Sequence, residues 1–195
     1  MRRKLAILLV LFLWGMVPFY GQTIPQNENN YKRTDFGLSV QLYPAGIIPT
    51  VNAEYYLSQK ESLVFRLGGN FTDRQDFSDE NDEEEGGGFG GSLGYRKHFP
   101  LKKGKIIAGL NTDIWNLWID WRDVMNAPNA ITGTTYILVL QPWLEAGYFF
   151  NIKNSSSQIG ITAGFGREIN VITNGDDVAQ DFIASISLQY LFFRK

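Results

Sequence analysis

The sequence contains no cysteine and a single histidine, His98, among its 195 residues. Without thiols there is no disulfide framework, thiolate metal site or cysteine nucleophile. One histidine also falls short of the pairs that most zinc hydrolases use. No metal or other cofactor is therefore expected. An excess of one charge sign is missing as well: 18 basic and 20 acidic residues leave a formal net charge of -2. No basic cluster interleaved with aromatics occurs beyond the first four residues, so nucleic acid is not an expected partner. Long apolar runs are scarce too. The one at Leu5 to Val17 has 13 residues, against the roughly 20 that a bilayer-spanning helix needs. What is plentiful is glycine, at 20 residues, and aromatic residues, at 14%. With 44% of residues hydrophobic, one compact domain is the expectation.

The first residues have the order of a secretory signal. Arg2, Arg3 and Lys4 precede the apolar run, and Pro18, Phe19, Tyr20 and Gly21 follow it, giving basic, apolar and small-residue regions in turn. The expected organisation is a signal peptide over 1–21, a polar leader over 22–34 and one folded domain over 35–195. No cysteine follows the run, so lipid attachment at a new N-terminus is not expected.

From Asp35 onward apolar residues recur with period two rather than 3.6, which is the strand signature. Eight segments alternate. Asp35–Tyr43 sets Phe36, Leu38, Val40 and Leu42 against Gly37, Ser39 and Gln41, and Thr50–Leu57 sets Val51, Ala53, Tyr55 and Leu57 against Asn52, Glu54 and Tyr56. Leu63–Phe71, Gly87–Phe99, Ile106–Trp118, Tyr136–Phe150, Ile159–Gly166 and Phe182–Phe192 repeat the arrangement. Without helical crossovers, such strands form an antiparallel meander. The links 58–62, 100–104 and 151–158 are short, and 73–86, 121–133 and 172–181 are longer; only 44–49 is short on the long side. Short turns at one rim, long loops at the other and an even strand count predict an all-β fold, an eight-stranded antiparallel up-and-down transmembrane β-barrel.

The competing arrangement is a soluble exported barrel with its apolar face inward and an apolar ligand inside. Volume argues against it, because eight strands enclose a bore that four large apolar side chains per strand would overfill. The face rich in Gly, Ser and Thr fits inside. Aromatic placement gives a second argument. Tyr55, Tyr95, Phe99, Tyr148, Phe150, Tyr190 and Phe192 lie toward the short-turn rim, and Phe71, Phe89, Trp118, Tyr136, Phe165 and Phe182 toward the long-loop rim, with aliphatics between. Two aromatic bands around an aliphatic belt are what a lipid-facing surface requires.

On these residues the chain resembles the small eight-stranded outer-membrane barrels of Gram-negative bacteria, the class of the OmpA membrane domain and OmpX. The resemblance covers roughly Asp35 to Phe193 and is architectural. It implies an outer-membrane location, contact with outer-membrane lipid and handling by the assembly machinery. The alternation Leu188, Tyr190, Phe192 is similar to the family's terminal assembly signal, followed here by Phe193, Arg194 and Lys195. No further domain is expected after the barrel.

Inside the barrel the alternation places Glu54, Arg66, Arg96, Asp113 and Glu145, with Gln41, Gln141 and Gln189 nearby, and Glu168 or Arg167 toward the loops. Opposite charges in a narrow dry lumen must pair. The expected result is a polar, side-chain-filled lumen narrowed by Trp115 and Trp143, and the alternative is a narrow solute or ion channel. The resemblance also admits enzymes such as lipid A deacylases. Those need a Ser, His and acid arrangement, whereas His98 reads as a solvated rim residue and Ser58, Ser62 and Ser155 to Ser157 as turn residues. No catalytic residue is expected. The acidic stretch with Asp76, Asp79, Glu80, Asp82, Glu83, Glu84 and Glu85 reads as a solvated surface loop. The glycine of an EF-hand loop is missing, so a specific metal site is not expected there; the partners left open to such a loop are divalent ions that bridge lipopolysaccharide, or a cationic partner. Lys60, Lys102, Lys103, Lys105 and Lys153 gather at the short-turn rim.

Overall fold

In the computed structural model, residues 33–75, 81–123 and 131–193 are described. The signal expectation, the leader up to residue 32, Asp76, Asp79, Glu80, Arg194 and Lys195 lie outside them. Arg33 and Thr34, expected in the leader, instead open the first strand, because they join its ladder opposite Tyr56 and Tyr55. Nine strand segments follow one another: β1 (Arg33–Tyr43), β2 (Gly46–Ser58), β3 (Glu61–Gln75), β4 (Glu83–Leu101), β5 (Gly104–Asp123), β6 (Ile131–Asn151), β7 (Gln158–Arg167), β8 (Ile169–Asn174) and β9 (Phe182–Phe193). Successive segments from β1 to β7 pair antiparallel, β8 pairs with β6 and β9 with β7, and β1 closes the sheet against β9 with Phe36 opposite Phe192 and Leu38 opposite Tyr190. The segments β7 and β8 are one barrel strand interrupted at Glu168, since both pair with β6, one along each half. The result is an eight-stranded up-and-down transmembrane barrel without a free edge around its waist.

The apolar face is outside. Phe36, Leu67, Leu110, Leu144 and Ile186 are each at least half exposed, whereas Gln41, Glu54, Asp113 and Thr162 are buried. This is the reverse of a soluble barrel. Along β6, Tyr136 and Tyr148 mark the two aromatic bands. Twelve residues of strand span roughly 40 Å, or roughly 30 Å along the normal at the usual tilt, matching a hydrocarbon core. Aromatic contacts run along each band, with Trp118 5.4 Å from Tyr136 and Phe89 5.9 Å from Trp118 at one end, and Tyr148 against Phe150 and Tyr190 against Phe192 at the other.

Strands β4, β5 and β6 have 19, 20 and 21 residues, about twice what a tilted strand needs to cross the bilayer. The surplus lies at the long-loop end, and it corrects several expected boundaries. The link between β1 and β2 is only Pro44 and Ala45, because Gly46 to Pro49 join the ladder. Glu83, Glu84 and Glu85 belong to β4 rather than to a loop, paired with Gln75, Arg74 and Asp73. The expected 172–181 loop begins only after Asn174. Period-two alternation fades where both faces leave the lipid and the barrel core, so pattern alone could not carry the strands that far.

Candidate functional site in the barrel lumen

The lumen is built by placing a small residue between two long charged ones across three strands. Arg96 on β4 pairs with Gly109 on β5, which pairs with Glu145 on β6. A Cβ at Gly109 would lie 3.4 Å from both Arg96 Cγ and Glu145 Oε2, so the glycine leaves the space through which the two side chains meet. Arg66, Ser92 and Asp113 repeat the scheme on β3, β4 and β5.

Two guanidinium centres result. Arg66 donates from Nη2 to both Asp113 oxygens, at 3.0 and 2.8 Å, and from Nη1 to Gln41 Oε1 at 2.9 Å. The Trp143 indole donates to Asp113 Oδ1 at 2.8 Å, and its ring lies 4.8 Å from the Arg66 guanidinium. Arg96 donates to Glu145 from Nε and Nη2 at 3.0 and 2.9 Å, to Glu54 at 3.3 Å and to Gln189 Oε1 at 3.1 Å. Gln189 in turn donates to Glu145 at 2.9 Å and to Thr162 at 3.2 Å. Gln141 is buried on the same face. All these charges are within a few per cent of complete burial, where an unpaired ion costs several kcal/mol or more.

Below this layer lies a floor of mixed character. Phe149 is completely buried, with Arg96 5.4 Å from its ring centroid and Lys105 5.2 Å. Lys105 also donates to the Tyr56 hydroxyl at 2.6 Å, so it belongs to the lumen and not to the rim cations. His98 is likewise corrected: it is 1% exposed and stacks on Tyr56 at 5.2 Å. Its Nε2 lies 2.8 Å from Ser62 Oγ and 3.1 Å from Glu54 Oε1. Ser62, expected in a turn, is fully buried and donates to Glu54 at 2.6 Å. His98 shares its parity along β4 with Arg96, which points to the inner face, and only its closeness to the strand end suggests the rim.

Above the charges the lumen turns apolar, which departs from the expected polar filling. Ile48, Trp115, Leu117, Ile119, Ile137, Val139 and Val178 form one buried cluster. Inward aromatics lie over cross-strand glycines: Trp115 opposite Gly90, Phe149 opposite Gly160 and Trp143 opposite Gly166. A Cβ at Gly160 would sit 2.4 Å from a Phe149 ring carbon. At the mouth, Arg74 joins Glu84 at 3.2 Å and Glu168 at 2.8 Å. Burial works against the Arg74 charge, and the carboxylates of Glu168 and Glu84 outweigh it, raising its pKa above the ordinary arginine value. Glu84, expected in the solvated loop, is 1% exposed inside the barrel, while Glu83 and Glu85 are exposed. Arg167 points outward over the Phe182 ring at 5.2 Å.

Of the expected girdle residues, Tyr95, Phe99, Trp118 and Phe192 are 40–46% exposed, and Tyr55, Tyr148 and Tyr190 are half-buried among their neighbours. One row above the long-loop girdle, Asp73, Glu85 and Asp120 stand side by side on β3, β4 and β5, facing outward. Asp82 is partly buried near the β3–β4 tip.

No protein-family model matches the sequence, and no curated protein matches it. Solved structures do match in fold. Neisserial surface protein A superposes with a TM-score of 0.50 at 10% identity, over 84% of this chain and 96% of that one. The N-terminal β-barrel domain of Pseudomonas aeruginosa OprF gives 0.42 at 11% identity, over 83% and 99%. PagL, described as an outer-membrane enzyme, gives 0.38 at 14% identity, over 81% and 98%. The chain has the fold of the small eight-stranded outer-membrane β-barrels, the OmpA membrane-domain and OmpX type.

Proposed function

We propose that the protein is an integral outer-membrane barrel closed to solutes, with a structural and surface-interaction role and its long-loop end outside the cell. The observation that carries this reading is the filling of the lumen. An aromatic floor, a paired charge layer and an apolar upper cluster succeed one another along the bore, and eight strands leave little room beside them. A signal over 1–21 fits export, and outer-membrane lipid, the assembly machinery and lipopolysaccharide with divalent cations fit as partners. The row Asp73, Glu85 and Asp120 supports the last, because it stands just above the aromatic band, at headgroup height.

The reading is non-enzymatic. Ser62, His98 and Glu54 meet, but both partners address the same nitrogen, His98 Nε2, whereas a triad orients the histidine through its other nitrogen. The group is also sealed from lipid and water. Planar-bilayer recording of the refolded chain tests the proposal: conductance at background supports it. Conductance above background that disappears when Gly109 or Gly164 is enlarged would establish the channel instead.

A further inference from the structure

Residues 175–181 run across the mouth of the barrel between β8 and β9, and among the described residues no strand ladder includes them. They are held mainly by side chains from outside the segment, and Gln180 Oε1 accepts from the Asn170 amide at 3.0 Å. Thr135 Oγ1 donates to the Asp176 carbonyl at 2.9 Å, Asn81 Nδ2 to that of Asp177 at 3.2 Å and Asn170 Nδ2 to that of Val178 at 3.1 Å. Arg74 Nη1 donates to the Ala179 carbonyl at 2.6 Å, and Glu84 Oε1 accepts from the Ala179 amide at 3.2 Å. A backbone bond from Glu168 to Asp181, 2.9 Å, closes the far end.

The segment contributes one buried side chain. Val178 is 4% exposed and packs into the cluster of Ile48, Trp115, Leu117, Ile119, Ile137 and Val139, while Gly175, Asp176, Asp177 and Gln180 are exposed. At one end Gly175 has φ +131°, a conformation that side-chain-bearing residues rarely adopt. Lifting the segment breaks no strand pairing, so the barrel wall does not depend on it.

We propose that 175–181 is a latched stopper: Val178 plugs an apolar chamber at the long-loop end, and Arg74 is the latch that holds the plug down. Arg74 suits that part because one guanidinium ties the segment to Glu84 on β4 and to Glu168 at the β7–β8 break. Release exposes Trp115 and Leu117 to the aqueous side, where a small apolar molecule would take the place of the valine. The inference rests on the proposed closure of the long-loop end, but its test reads accessibility and not conductance, so either can fail alone.

The absence of native cysteine makes thiol labelling a clean probe. In the full chain, Val178→Cys and, separately, Gln180→Cys are labelled with a membrane-impermeant maleimide, each with Arg74 intact and with Arg74→Ala. With Arg74 intact, the Val178→Cys protein should label at least about tenfold more slowly than the Gln180→Cys protein. Arg74→Ala should remove most of that difference and make Leu117→Cys reactive as well. Heat-dependent gel mobility verifies that each variant retains the closed barrel. If Arg74→Ala does not assemble, Asn170→Ala, which frees the Val178 carbonyl, serves in its place with the same expected rise. Equal rates with Arg74 intact would show that no stopper is seated. A slow Val178→Cys rate unchanged by release would refute the latch, and an unreactive Leu117→Cys in the released protein would refute the chamber.

Discussion

Arg96 is the residue whose removal tests the lumen most sharply. It is 2% exposed and makes charge-assisted bonds to Glu145 and Glu54, themselves 3% and 1% exposed. Arg96→Met keeps much of the volume and stem while deleting the charge, so the cavity contribution is small. Two carboxylates then remain inside, and breaking a buried pair by removing one partner costs about 3–5 kcal/mol. Against a typical total stability of about 5–15 kcal/mol, that is a large fraction. Glu54 retains Ser62 and His98, which places the expected loss toward the lower end, about 3 kcal/mol. The assay is urea unfolding of the barrel refolded in lipid vesicles, followed by tryptophan fluorescence and by gel mobility. Adding Glu145→Gln removes the stranded charge and should recover more than half of the loss, since replacing both partners is far milder than removing one. A loss below about 1 kcal/mol for Arg96→Met alone would mean that the carboxylates find water, and that the lumen is not sealed as described.

Other expectations follow from the same surfaces. Leu110→Arg, in the middle of the lipid-facing belt, should destabilise the refolded protein by about 2–4 kcal/mol, and a soluble barrel would tolerate it on its surface. Gly160→Val forces a side chain against the Phe149 ring and should lower the urea midpoint by the equivalent of about 1–3 kcal/mol; an unchanged midpoint would mean that Phe149 is not packed there. Glu85→Lys places a cation between Asp73 and Asp120. It should stabilise the protein by up to about 1 kcal/mol at low salt without divalent ions, an effect that shrinks as salt screens the row; destabilisation would refute the idea that the row is self-repelling.

The fold was legible because a barrel wall in lipid enforces one rule over every strand. Phe36, Leu38, Val40 and Leu42 had to face one way and Ser39 and Gln41 the other, and the backbone places them so. The long-loop end was less legible. Leu117, Ile119, Ile137 and Val139 are apolar yet point inward, so near the rim both faces of β5 and β6 read alike and period two loses contrast. Glu84 was hidden in an acidic run whose charge suggested solvent, although its parity with Gly86, Gly88 and Arg96 places it inside. Its partner, Arg74, is the only basic residue between Asp73 and Glu85, a signal that could have identified it. Val178 could not have been found this way, because its position depends on hydrogen bonds from Arg74, Asn170 and Thr135 rather than on any local period.

The barrel is closed, with its apolar face in lipid. The most direct measurement is to express the full chain, isolate the outer-membrane fraction and compare unheated with heated samples on a denaturing gel. A barrel whose backbone bonds are all internal resists detergent until heated, so the protein should be membrane-bound and change its mobility on heating. Recovery in the soluble periplasmic fraction with no mobility change would contradict that arrangement.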